Sequence, residues 1–176
     1  MPFDVGSLRL RPVALADTAR VHEWASLATV CKYQPWGPNT LSETQTFVET
    51  AVALWSANPW TRRVSVAEDA ENLVTGIGEI GVPSEGRAEI SYALHADLWR
   101  LGVGTAIGRM LVAWAFENLD VERVEASCDT RNVGSERILR RLGMTYEGTL
   151  RHVLHPRDGW RNSHVFCILR SEWQLS

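Results

Sequence analysis

Two glycines stand two apart in the run LWRLGVGTAIGRM (98–110), and a threonine follows the second. Gly102 and Gly104 let a backbone come close to a ligand with several N–H groups aimed inward, and Thr105 adds a hydroxyl donor. The residues that follow turn apolar at helical spacing, so the glycines open a helix whose N-terminus adds partial positive charge. The guest suited to such a cradle is a phosphate or diphosphate. A second cluster has the same preference: within 131–141, Arg131, Arg137, Arg140 and Arg141 stand against the single Glu136, a local charge of +3. Arginine forks hold phosphates by paired bonds, although such a run also serves as a solvated helix face.

Three owners of a glycine-started helix can be weighed. A Walker A loop needs a lysine after its last glycine, and this segment has none. A dinucleotide fingerprint needs GxGxxG, whereas Gly104 is followed by Thr105, Ala106 and Ile107 before Gly108. Glu122 does lie where a ribose-binding acid would fall, but the stretch from His95 to Leu101 is too long for a Rossmann turn. That reading predicts a nucleotide-linked oxidoreductase binding NAD(P). The third owner is a site with a strand, a longer approach segment, and then x-x-x-G-x-G/A at the helix start.

The elements that position these residues follow from periodicity. A strand is predicted over 8–12, a helix over 17–28 and a loop over 33–40. A helix starts with Ser42 as N-cap and Gln45 three places on, shows Phe47, Val48, Ala51, Val52 and Trp55 on one face, and ends near Asn58-Pro59. Strands follow over 60–68, 73–82 and 87–94, joined by the turns DAEN and PSEG. A helix over 102–118, a strand over 121–129 and a helix over 133–142 with Gly143 beyond its end come next. Strands over 144–151 and 164–173, linked through HPRDGWRN, finish one mixed α/β domain spanning 1–176.

The runs AEISYALHADLWRLGVGTA and VERVEASCDTRNVGSERILRRLGMTYEGTLR together resemble the GNAT superfamily of N-acetyltransferases. More narrowly they are similar to the branch of the ribosomal-protein acetyltransferases RimJ and RimL. The residues behind the resemblance are Glu89–Leu94, Trp99, Gly102, Gly104, Thr105, Asp129, Asn132, Ser135, Leu139 and Gly143, with Met144 in place of the usual phenylalanine. LRLRP, YQPWGP and the closing EGTLR, GWRN and EW match as well, so it covers nearly the whole chain. The resemblance implies the GNAT fold: a mixed, mostly antiparallel sheet of six to seven strands flanked by about four helices. The implied co-substrate is acetyl-CoA or another acyl-CoA, with no metal.

Acyl transfer to an amine needs a neutral nucleophile, a base, stabilisation of the oxyanion and a proton for the leaving thiolate. The resemblance implies direct attack in a ternary complex. A backbone N–H around Leu94 would hold the oxyanion, and pantetheine would pair with the same splayed strand edge. The diphosphate falls to Arg100, Leu101, Gly102, Val103, Gly104 and Thr105, with Arg100 standing where relatives commonly have glycine. Asn132 caps the following helix and meets the pantetheine arm, while Arg137 or Arg141 meets the 3′-phosphate. Relatives place a catalytic glutamate at Glu89, on the strand face shared with Ser91 and Ala93; Glu79 is the second choice. Ser135, in the N-x-x-S position, is the candidate acid for the sulfur, and Tyr146 a weaker one. Trp36 and Trp160 are expected to wall the acceptor, and Asn162 stands where many relatives have aspartate.

The acceptor is a small-molecule amine or a protein N-terminus, whose α-amine needs less deprotonation than lysine does. A reading from another class is a CoA-binding regulatory module with little or no catalysis. His152, His155 and His164 share no register that unites them, so no metal is expected. Cys128 and Cys167 lie in apolar strand contexts and read as core, leaving no need for a cysteine intermediate. Three scattered cysteines exclude a disulfide scaffold and fit a reducing cytoplasm. The net charge of −3 argues against general nucleic-acid binding, and no apolar run approaches a membrane span. No secretion signal is read in MPFDVGSLRLRP. Relatives often pair, so a homodimer is compatible.

Overall fold

The computed structural model describes residues 5–155 and 159–173. The first four residues of the stretch read for a secretion signal, and 156–158 of the HPRDGWRN connection, lie outside the described residues.

The chain runs β1 (Arg9–Pro12), α1 (Thr18–Ala25), α2 (Ala28–Cys31), α3 (Leu41–Trp55), β2 (Arg62–Glu68), β3 (Val74–Ser84) and β4 (Gly86–Leu94). It continues with α4 (Val103–Asn118), β5 (Val121–Asp129), α5 (Val133–Arg141), β6 (Thr145–Leu154), β7 (Arg161–Leu169) and α6 (Arg170–Trp173). The strands form a seven-stranded sheet in the order β1-β2-β3-β4-β5-β7-β6. All neighbours are antiparallel except β4 and β5, which α4 connects as a crossover. This is the α/β architecture expected from the sequence.

Alternation along the central strands divides the core between the two faces. Ala88, Ile90 and Leu94 of β4 pack with Ile107, Leu111 and Ala115 of α4. Ala93, one position out of phase, joins Ile77 of β3, Val21 and Trp24 of α1 and Val48 of α3 on the other face. Burying each of the larger side chains contributes about 1.5–3 kcal/mol, so neither helix layer is held by propensity alone. A Cβ at Gly104 would stand 2.8 Å from Cδ1 of Ile138, and one at Gly108 would stand 2.6 Å from Cδ1 of Leu142. These two glycines, one helical turn apart, set how closely α5 lies against α4.

Several boundaries differ from expectation, β6 among them, which continues to Leu154. The cap of α3 is Thr40, whose Oγ1 accepts from the N–H of Glu43 while the Glu43 carboxylate accepts from the N–H of Thr40. This reciprocal box outcompetes the Ser42 start. Leu27 is extended (φ −82°, ψ 118°), which divides the predicted 17–28 helix into α1 and α2. The PSEG turn shrinks because β3 continues to Ser84 and β4 begins at Gly86, with φ +72° at that glycine. The last strand starts earlier, at Arg161, and its predicted end is helical. Glu172 accepts from the N–H of Leu169 to start α6, and Arg170 donates to the carbonyls of Phe116, Leu119 and Val121.

Candidate active site

β4 and β5 pair only from Gly86↔Val121 to Glu89↔Glu125. Beyond that, β4 stays paired with β3 as far as Leu94, and β5 stays paired with β7 as far as Asp129. The two strands therefore part, leaving an opening at their C-terminal ends. His95 donates its N–H to the carbonyl of Thr75 on the β3 side, at 3.1 Å. Alternation of the strand backbone then turns the N–H groups of Tyr92 and Leu94 toward the opening. An extended ligand arm could pair with this edge as an added strand would.

A helix starts at each lip of the opening. On the β4 side, Gly102 precedes α4 with φ +88° and offers no side-chain cap. The first-turn N–H groups of Val103, Gly104 and Thr105 consequently lack acceptors within the helix. Arg100 is also left-handed (φ +67°), and both Arg100 and Leu101 are exposed. On the β5 side, Asn132 caps α5 by accepting from the N–H of Ser135 at 3.0 Å. Two helix N-termini thus converge on one mouth, a setting that favours an anion. Of the neighbouring arginines, Arg131 bonds Asp129 and Arg140 bonds Glu136. Arg137 and Arg141 are exposed one turn apart on α5, with no ion pair to a described residue.

Inside the opening the Tyr92 hydroxyl and Ser135 Oγ lie 3.1 Å apart. Burial holds the Tyr92 hydroxyl well above the usual tyrosine range, so it stays protonated at any working pH. The Cys128 thiol neighbours Ser135 and is pushed up to about 11 by burial, with Glu136 and Asp129 adding to the effect. A thiol so placed is mostly uncharged and a poor nucleophile. Tyr92 was not singled out by sequence, although its place in ISYAL, alternating with Ile90 and Leu94, put it on the α4 side.

On the opposite face, β3, β4, α1, α3 and the 33–40 loop enclose a cavity of about 510 Å³. Trp36 lines it, with its ring centroid 6.3 Å from that of Trp24, and so do Phe47 and Tyr92. Glu79 also lines it, bonded by two nitrogens of Arg62. Glu89 lies on the same sheet face but outside the cavity wall. Burial, then the like charges of Glu125 and Glu79, hold its carboxyl above the usual range, against a pull downward from Arg87. Trp160 stands elsewhere: it is 60% exposed, stacked on His152 and edge-on to His155 near the β6–β7 connection. Tyr146 bonds Thr149 on the exposed strand β6.

A buried ion pair ties the two sides together. Asp129, at the end of β5, faces Arg161 at 3.6 Å with side-chain exposures of 3% and 8%. Arg161 also donates to the carbonyl of Gln34 in the cavity wall, at 3.3 Å. Asp129 accepts from the N–H and guanidinium of Arg131 just before α5. Sequence spacing gave no signal for a pair 32 positions apart.

The mixed seven-stranded sheet opens at its one parallel joint, with a glycine-started helix beyond it, as the GNAT fold expected from the sequence requires. Residues 7–145 match the acetyltransferase (GNAT) domain family, and the chain belongs to it. YnaD of Bacillus subtilis (strain 168), an uncharacterised N-acetyltransferase, is 22% identical over 166 residues, covering 94% of this chain and 95% of that protein. An acetyltransferase of the GNAT family from Bacillus anthracis shares the fold with a TM-score of 0.84 and 22% identity, over 97% of this chain and 99% of that one. The spermidine N-acetyltransferase of Vibrio cholerae, solved with CoA and spermine, gives 0.82 and 16%, over 96% and 99%. RimL, a ribosomal L7/L12 alpha-N-protein acetyltransferase solved with CoA, gives 0.81 and 17%, over 93% and 94%. Among the described residues, no helix is long and apolar enough to cross a membrane.

Proposed function

We propose that this acetyltransferase passes the acyl group of acetyl-CoA, or of another acyl-CoA, directly to a primary amine in a ternary complex. The observation behind the reading is the position of Tyr92. It lines the cavity on one face, while its hydroxyl meets Ser135 in the opening. Donor and acceptor can therefore approach one point from opposite sides of the sheet.

The amine nitrogen attacks the thioester carbonyl carbon, forming C–N as C–S breaks. The N–H of Leu94 faces the carbonyl oxygen as it gains negative charge. Ser135, held by Tyr92, relays a proton to the departing sulfur and takes one from water in its place. The proton lost by the amine goes to a carboxylate of the acceptor face, Glu89 or the cavity-lining Glu79, directly or through water. Arg100, Leu101, Gly102, Val103, Gly104 and Thr105 receive the diphosphate, and Asn132 the pantetheine arm. Release of CoA thiol from acetyl-CoA across a panel of amines and peptides tests the reading. Binding of CoA without turnover across the panel would favour a regulatory module instead.

Ser135→Ala is expected to lower kcat about a hundredfold, the low end of the range for losing a positioned acid, with the KM for acetyl-CoA within twofold. An unchanged kcat would remove Ser135 from the proton path. For the 3′-phosphate, the double variant Arg137→Ala, Arg141→Ala should bind CoA more weakly and with a flatter dependence on salt. Equal loss of affinity for dephospho-CoA, which lacks that phosphate, would assign the arginines elsewhere.

A further inference from the structure

We infer that the acceptor is a small amine whose body is uncharged and carries an amide or hydroxyl group. This rests on the transfer reading above and narrows its acceptor. The three charged side chains lining the cavity, Glu43, Arg62 and Glu79, all have partners within the chain. Arg62 donates from Nη2 to Glu79 Oε2 at 2.7 Å and from Nε to Oε1. Glu43 accepts from the N–H and the hydroxyl of Thr40 at the start of α3. The hydroxyls of Thr46 and Thr50 donate to carbonyls one turn back in the same helix. The other uncharged polar groups of the wall are unbonded. Trp24 lines the cavity, and its buried Nε1–H has no acceptor among the described residues. The side-chain amides of Gln34 and Asn39 and the hydroxyl of Ser91 bond no described residue either.

These four neutral groups come from α1, the 33–40 loop and β4, and they are the ones left to orient a ligand. A buried N–H without an acceptor is a cost to the folded chain, and a carbonyl or hydroxyl oxygen brought to Trp24 removes it. The amides of Gln34 and Asn39 offer donors and an acceptor each, which match an amide or an alcohol of the ligand. A carboxylate or a second ammonium would instead enter the space beside charged groups that are already paired, and would lose hydration for little return. The rings of Trp24, Trp36 and Phe47 cover the apolar remainder of the ligand. The volume of about 510 Å³ is that of a small-molecule site.

Leucinamide, leucinol, isoamylamine and leucine share one branched body and differ in the polar group, and spermidine and an alanine-initiated octapeptide complete the set. Initial rates of CoA thiol release would be compared as kcat/KM per unprotonated amine. Binding without turnover would be followed by the indole N–H resonances of the nitrogen-15-labelled chain, with that of Trp24 assigned through its own backbone. The better of leucinamide and leucinol should exceed each of the other four at least tenfold, and should move the Trp24 resonance where isoamylamine does not. The double variant Gln34→Met, Asn39→Leu, confined to the 33–40 loop, should reduce that advantage at least fivefold with the acetyl-CoA KM within twofold. An advantage below tenfold over any of the four would overturn the inference. So would a Trp24 resonance unmoved by both leucinamide and leucinol, or an advantage indifferent to the double variant. A Trp24 shift selective for leucinamide or leucinol, without thiol release from any compound, would overturn the transfer reading and uphold the cavity's selectivity.

Discussion

Asp129→Ala is expected to destabilise the folded chain by about 3–5 kcal/mol, the range for removing one partner of a buried ion pair. Arg131, 57% exposed, loses a partner it can replace with water, whereas Arg161, 8% exposed, loses a carboxylate where water reaches poorly. The urea midpoint measures the loss, and a change below about 1 kcal/mol would mean that Arg161 relaxes to solvent at little cost. The effect also depends on pH. Burial acts to raise the Asp129 carboxyl, but bonds from Arg131 and the charge of Arg161 outweigh it and hold the carboxyl below its usual range. A folded value below the unfolded one means that the contribution is complete above about pH 4 and is lost as pH falls through the folded value. Asp17, held down by Arg11 and the N–H of Ala14 against burial, acts with the same sign. Acidification below pH 4 should thus weaken the parent chain more than it weakens Asp129→Ala.

The second large effect is expected at the seam between α4 and α5. Gly104→Ala should be close to neutral, because the contact at 2.8 Å is with a flexible terminal methyl of Ile138 and alanine gains about 1 kcal/mol of helix propensity. Gly104→Val adds branches that cannot be absorbed this way, and should cost about 1–3 kcal/mol. It should also raise the KM for acetyl-CoA about tenfold, since α5 bears Asn132 and Ser135 and must move outward. Gly108→Val offers the comparison. It overpacks the same seam against Leu142, one turn farther from the mouth, so stability should fall while the acetyl-CoA KM stays within twofold. Parallel KM changes at both positions would show that the whole of α5 shifts as one unit.

Periodicity sufficed for the elements whose two faces differ sharply in burial. The strand over 121–129 has the predicted bounds, and the helix over 102–118 begins one residue later because Gly102 is its cap. Boundaries set by specific side-chain bonds were less legible, as the Thr40–Glu43 box and the Glu172 bond at Leu169 show. At the site, local motifs lead to Gly102, Asn132 and Ser135, because one helix start contains all the information that each requires. The cavity could not be read this way. Its wall draws on α1, the 33–40 loop, α3 and the middle of the sheet, and Trp24 and Phe47 looked like ordinary core residues. For the same reason Trp36 and Trp160, similar in sequence context, prove to occupy very different surroundings.

The opening at the parallel joint also divides the chain by residue number. The cavity wall is drawn from positions 21 to 93, and the residues proposed to receive the acyl donor run from 94 to 141. A recombination point near His95 would therefore exchange nearly the whole cavity wall between related chains and leave the proposed donor side intact. On the proposed assignment, drift in the first half alone would diversify the amine that lineages modify. The Gln34–Arg161 bond and its link to Asp129 are where such chimaeras would have to be matched.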